Sequence, residues 1–311
     1  MTILFLTILL SIGVLSWSAE LFVQGSLTIS HRFQWSALVV GTIWMGIATT
    51  LPELFVTYFS VMKGHTGLAV GNIIGSYIVN IGLVIGLISI FIPLNVPKEM
   101  FKKEFPMLYI AVCAVIACFY SLTLTTIDGI LLLAILLVII FWMLRSKGSS
   151  INQSAYTGHL GISILKSIFG LVLMWFSSET LIHSATQLAG LFGMSDRVIG
   201  LTVVAIGTSL PELAASFVCA KKGHADMAIG NILGSNCFGL LGVLAMPCFL
   251  GPKVHFPEKI MVDLVGIILI TFLLWFAAYF GDRGQFKINR WEGAVLLIFF
   301  LVYVFYTLAK G

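Results

Sequence analysis

The stretch "LTVVAIGTSLPELAASF", residues 201–217, decides how the chain is read. It is apolar enough to sit in a bilayer, yet Glu212 stands near its middle, directly after Pro211. An acidic side chain at the centre of a membrane helix costs at least ~2.5 kcal/mol on insertion scales. A proline there removes a backbone donor and distorts the turn before it. A second stretch, "GIATTLPELFVTYF" at 46–59, has the same arrangement with Pro52 and Glu53. One constant offset of 159 maps Glu53 onto Glu212, Pro52 onto Pro211 and Thr49 onto Thr208. It also maps "KGH" at 63–65 onto 222–224, "GNIIGS" at 71–76 onto "GNILGS" at 230–235, and Glu20 onto Glu179. A gapless register over most of three helices is an internal duplication.

The surrounding composition supplies the solvent. Of 311 residues, 59% are hydrophobic and only 10% charged, too little polar surface for a soluble chain of this length. With about 20 apolar residues needed per crossing, ten helices are expected: 2–24, 37–62, 67–91, 105–122, 126–144, 160–184, 196–220, 225–249, 260–280 and 290–309. The runs are continuous rather than alternating, which excludes a β-barrel. The first span lacks a basic leader and a small-residue cleavage site, so it is expected to be a retained helix. The longest polar stretch, "RSKGSSINQSAYTGH" at 145–159, is too short for a soluble catalytic domain. Cys113, Cys118, Cys219, Cys237 and Cys248 form no CxxC pair and read as small packing residues.

The charge of +4 follows the membrane, not a nucleic acid. With the N-terminus outside, twelve cations fall on inner loops: Arg32, Lys98, Lys102, Lys103, Arg145, Lys147, Lys166, Lys221, Lys222, Arg283, Lys287 and Arg290. Five fall outside: Lys63, Arg197, Lys253, Lys259 and Lys310. The positive-inside rule therefore places both termini outside, in a multi-pass plasma (inner) membrane protein. Five spans per unit, an odd number, make the second copy enter from the opposite face. The expected organisation is a first inverted repeat at 1–145 with its motif at 46–86, a cytoplasmic linker at 146–159, and a second repeat at 160–311 with its motif at 205–245. This is an all-α membrane protein of the kind used by secondary transporters, whose sites lie at the midplane between repeats.

The motif itself is a ligand set. Pro211 cannot bond the Gly207 carbonyl, so Ala205 to Ser209 offers backbone oxygens, with the hydroxyls of Thr208 and Ser209 on the face of Glu212. Gly46 to Thr50, with Thr49, Thr50 and Glu53, repeats the offer. Ser76 and Asn80 share a face of the third helix, and Ser235 takes the matching place in the eighth. These are hard oxygen donors, which suit Ca²⁺ or Na⁺ better than Zn²⁺ or copper. Two approximated carboxylates need neutralising by one divalent cation, two monovalent ions or two protons. Asn72 and Asn231 read as interhelical hydrogen-bonding groups, and Glu20 and Glu179 as interfacial or capping groups near helix ends.

"GTSLPEL" at 207–213 with "GNILGSN" at 230–236, and "ATTLPEL" at 48–54 with "GNIIGS" at 71–76, resemble the α-repeats of the sodium/calcium exchanger (cation/Ca²⁺ antiporter) superfamily, in its compact prokaryotic form. The resemblance implies ten helices, alternating access, and a first and sixth helix sliding across a core made by the others. It implies Glu53 and Glu212 as central Ca²⁺ and Na⁺ ligands, aided by the Thr49 and Thr208 carbonyls. Thr50, Ser209, Ser76, Ser235 and the Ala205 carbonyl would serve Na⁺. The family usually has Asn or Asp where this chain has Gly239, the position matching Asn80, so one side-chain oxygen is missing. Na⁺/Ca²⁺ exchange is the expected function and Ca²⁺/H⁺ exchange the alternative; the transported ions are the only small-molecule partners expected, with no cofactor. An intramembrane hydrolase lacks a nucleophile arrangement near the glutamates, and a channel has no need of inverted broken helices.

Overall fold

A computed structural model describes residues 1–33, 35–145, 159–193, 205–251, 256, 260–284 and 286–310. It is a helical membrane protein. In chain order the helices are α1 (Thr2–Phe33), α2 (Ala37–Met62), α3 (Thr66–Phe91), α4 (Lys98–Ser121), α5 (Thr126–Arg145), α6 (Leu160–Leu191), α7 (205–221), α8 (Ala225–Leu250), α9 (Ile260–Gly284) and α10 (Arg290–Lys310). Nine of them are long and apolar enough to cross a membrane; of α7 only the described part is short. The start of the expected seventh span, linker residues 146–158, Arg197, Lys147, Lys253 and Lys259 lie outside the described residues.

α1 and α6 are each 32 residues, well beyond the expected ends at 24 and 184. Polar residues did not stop them because serines satisfy their hydroxyls locally: Ser26 donates to the Phe22 carbonyl at 2.8 Å, and Ser18 to that of Leu15 at 2.9 Å. The two helices cross at glycines. A Cβ at Gly25 would meet the Ser163 carbonyl oxygen at 2.6 Å, and one at Gly170 would meet the Ser18 oxygen at 2.7 Å. Contacts at 25 with 163 and at 18 with 170 run in opposite directions. Equivalent helices of the two repeats are thus antiparallel, which is the inversion itself.

α2 and α8 run side by side in the same direction, again on glycine: Gly41 lies against Met227, and Gly46 against Gly234 and Ser235. Small residues here let backbones approach within reach of each other's polar groups. Neither α2 nor α7 is a regular helix. α2 contains a π-helical turn at Val40–Met45, then Gly46–Thr49, then a break at Thr50 before Leu51–Met62. α7 breaks at Ser209, between Ala205–Thr208 and Leu210–Lys221. In both, proline sits in the first turn of the second half-helix, where its missing N–H costs nothing. π-helical turns also begin at Asn80 in α3 and Gly239 in α8, equivalent positions. One short antiparallel pair, Leu94–Asn95 with Lys287–Ile288, fastens the loop after α3 to the loop before α10.

Candidate functional site

Glu53 and Glu212 each occupy the first turn of a second half-helix, at the positive end of its dipole. The geometry buries them almost fully, with 3% and 0% of their surface exposed, and places Glu53 within reach of the charge on Glu212. None of the four buried carboxylate oxygens has a hydrogen-bond partner at ordinary bonding distance, although the Thr49 and Ser235 hydroxyls lie close enough to Glu212 to act on its carboxylate. An isolated buried charge carries a penalty of several kcal/mol, which cations beside the two carboxylates, or protons on them, would relieve.

Hydroxyls and amides surround them in two symmetry-related sets. From α2, Thr49 meets Ser235 of α8 at 3.0 Å and donates to the Asn231 Oδ1 at 3.2 Å. From α7, Thr208 meets Ser76 of α3 at 3.5 Å, the same contact with the repeats exchanged. Thr50 donates to the Gly46 carbonyl at 2.6 Å, and Ser235 reaches that carbonyl at 3.3 Å. Thr50, Glu53, Ser76, Asn80 and Ser235 wall one small cavity of about 10 Å³, together with Ile73, Tyr77, Asn236 and Gly239. That is about one water-sized sphere, room for a single dehydrated ion. Ser209 is buried at the break of α7 with its hydroxyl unpartnered. Ala205 opens the described part of α7.

Some positions differ from the reading of the sequence. Asn231 donates to Ser216 at 2.9 Å, an intramembrane hydrogen bond, whereas Asn72 has an unpartnered Nδ2. Glu20 and Glu179 fall inside long helices rather than near their ends, because α1 and α6 continue past both. Asn236 escaped notice although it directly follows Ser235 in the quoted motif. Its Oδ1 accepts from Asn80 at 3.0 Å and its Nδ2 donates to the Tyr77 carbonyl at 3.3 Å, which leaves the buried Asn80 Oδ1 unpartnered on the cavity wall. A Cβ at Gly239 would meet only Ile73, at 4.0 Å, so the side chain missing there leaves space rather than a repacked wall.

A second, larger cavity of about 490 Å³ lies between Leu51–Met62 and α6 and reaches Pro52, Thr208 and Pro211. Lys63, His65 and Glu179 are on its walls. Inverted repeats, paired broken helices, two buried carboxylates and an ion-sized cavity walled by one of them, Glu53, define a membrane cation transporter, not an enzyme.

The comparisons with known proteins specify the class. The family model described as sodium/calcium exchanger protein matches residues 3–145 and 162–309. The putative antiporter CaxA of Alkalimonas amylolytica is 33% identical over 95% of this chain and 96% of its own length. The inner membrane protein YrbG of Escherichia coli is 29% identical over 86% of this chain and 88% of its length. A solved structure of the sodium–calcium exchanger NCX_Mj, soaked with zero Na⁺ and Ca²⁺, superposes with a TM-score of 0.84 at 31% identity, covering 99% of this chain and all of that one. The chain belongs to the sodium/calcium exchanger family.

Proposed function

We propose that the protein is a Na⁺/Ca²⁺ antiporter working by alternating access. The observation that carries the reading is the pair of buried carboxylates, Glu53 and Glu212, with Glu53 on the wall of a cavity of one ion's size. One Ca²⁺ balances two carboxylates, and so do two Na⁺; a site that accepts either load in turn, and closes only when loaded, exchanges them. Around the carboxylates, Thr49, Thr50, Ser76, Asn80, Thr208, Ser209, Ser235 and the Ala205 carbonyl supply neutral oxygens of the kind both ions take. The 490 Å³ cavity is the access path on one side. On the other side Leu210–Lys221 packs along α1 and closes the route.

The topology completes the proposal. Halves 1–145 and 160–311 are joined on the cytoplasmic side by 146–159. Both termini face outward from the inner membrane, following the cation bias, and the open cavity then faces outward too. Ca²⁺/H⁺ exchange is the second reading, favoured by the oxygen missing at Gly239. Radioactive Ca²⁺ uptake into proteoliposomes separates the two, comparing an outward Na⁺ gradient with an outward proton gradient. Uptake driven by Na⁺ and lost in Glu212→Gln supports the first; uptake driven by protons alone replaces it with the second. No gradient-dependent uptake by folded protein removes Ca²⁺ as the cargo.

A further inference from the structure

The inverted repeat supplies every feature twice, so differences between equivalent places report which side of the molecule is open. On the sealed side, the Lys222 ammonium, just past the end of α7, pairs with Glu20 of α1 at 2.9 Å. The offset of 159 turns this pair into Lys63 and Glu179. Both of those are on the wall of the 490 Å³ cavity, and they make no ion pair; Lys222–Glu20 is the ion pair found among the described residues. The neighbours follow the same pattern. His65 is exposed at the cavity while its counterpart His224 is half-buried. Phe55 and Phe59 are exposed where Ala214 and Val218 are partly covered. Ser60, 8% exposed, touches the cavity wall, whereas its counterpart Cys219 is 0% exposed.

We infer that Lys222–Glu20 and Lys63–Glu179 are two alternating latches, one on each face, and that each is made only when its own side is closed. The argument is one of symmetry. Exchanging the roles of the two repeats converts the closed side into the open one, so the contact that seals the first must reappear between the equivalent residues that seal the second. Lys63 would then cross the present cavity to Glu179 as α6 closes on Leu51–Met62, and Glu20 would release Lys222 as α1 withdraws. The pair shields the path from ions on the closed side. This rests on the alternating-access reading proposed above.

Cys219 is a native reporter of the sealed side, since its counterpart Ser60 is on the cavity wall. The test measures the rate at which a membrane-impermeant maleimide modifies Cys219 in the full-length protein, resolved from exposed Cys113 by peptide mass spectrometry. Glu20→Gln and Lys222→Gln should raise that rate about two- to fivefold, the scale of one partly exposed ion pair. Lys63→Gln and Glu179→Gln should lower it by a similar factor, because they weaken the state in which Cys219 is reachable. The charge-exchanged double variant Glu20→Lys/Lys222→Glu should return it towards wild type. Buried Cys237 controls for folding: a loosened variant modifies both thiols. Opposite signs for the two pairs support the latches; no change, or the same sign for both, overturns them. Labelling requires no transport. Opposite signs without Ca²⁺ uptake leave the latches standing and remove the cargo, whereas Na⁺-driven uptake with unchanged labelling does the reverse.

Discussion

Gly234→Ala tests whether the closeness of α2 and α8 is what builds the site. A Cβ at 234 would overlap the Thr42 carbonyl oxygen and lie 2.8 Å from both its carbonyl carbon and its Cα. Those are backbone atoms, which cannot rotate aside. Restoring ordinary van der Waals separation requires the two helices to part by about 1 Å. The next residue, Ser235, holds Thr49 at 3.0 Å and the Gly46 carbonyl at 3.3 Å, and both contacts fall outside hydrogen-bonding range after such a shift. Overpacking costs about 1–3 kcal/mol of stability, but a misplacement of ~1 Å at a reacting or binding centre costs on the order of 100-fold in rate. The expected result is Ca²⁺ uptake lowered about 100-fold in a protein that still unfolds cooperatively in detergent. Gly13→Ala, where a Cβ meets nothing within 4 Å, should transport as wild type. Uptake by Gly234→Ala within threefold of wild type would refute the idea that this glycine contact sets the site's geometry.

Three further outcomes follow from the site and its surroundings. Glu53→Gln removes a buried carboxylate that has no donor, so it should stabilise the ion-free protein by on the order of 1 kcal/mol. It should also abolish the Ca²⁺-dependent increment, ~2.7 kcal/mol at 100 times Kd, in thermal unfolding; an unchanged increment would place Ca²⁺ elsewhere. Asn236→Ala strips the Asn80 amide of its acceptor and the Tyr77 carbonyl of its side-chain donor, at a cost of roughly 1–3 kcal/mol that unfolding in detergent measures. His224, between α7 and α8, is held below its ordinary value by burial, with Asp226 opposing the shift and Lys222 adding to it. Because the folded state binds that proton less readily than the unfolded one, stability should be full above the ordinary histidine range and decline as pH falls through and below it. His224→Gln should flatten that decline; an identical pH profile would show that His224 does not contribute.

Much of this architecture could be read from the chain because duplication leaves a signal that needs no tertiary knowledge. The offset joining Glu53 to Glu212 also joins the motif at 71–76 on α3 to the one at 230–235 on α8, whose glycines lie against α2, so the repeat and the polar residues of the cavity appear together in the sequence. What stayed hidden depends on through-space partners or on backbone irregularity. Ser26 and Ser30 look like the end of a membrane span, yet both are buried where α1 continues to Phe33. Glu20 gives no sign in its own neighbourhood of Lys222, which is 202 residues away. The π-helical turns at Asn80 and Gly239 have no proline or glycine signature in common, since one begins on an amide and the other on a glycine. Asn236 was legible only as an amide in an apolar run; its link to Asn80 depends on how α3 and α8 meet.

The antiparallel meeting of α1 and α6 also bears on ancestry. A helix that contacts its own copy about a two-fold axis lying in the membrane plane presents a self-complementary face. Such a face serves two separate half-length chains as well as two halves of one chain. Used in that way by identical copies, the half would have to insert in both orientations, which a strong lysine and arginine bias in its loops opposes. In one chain the joining segment ties the two halves together, so each half is free to carry loop charges suited to its own direction of insertion.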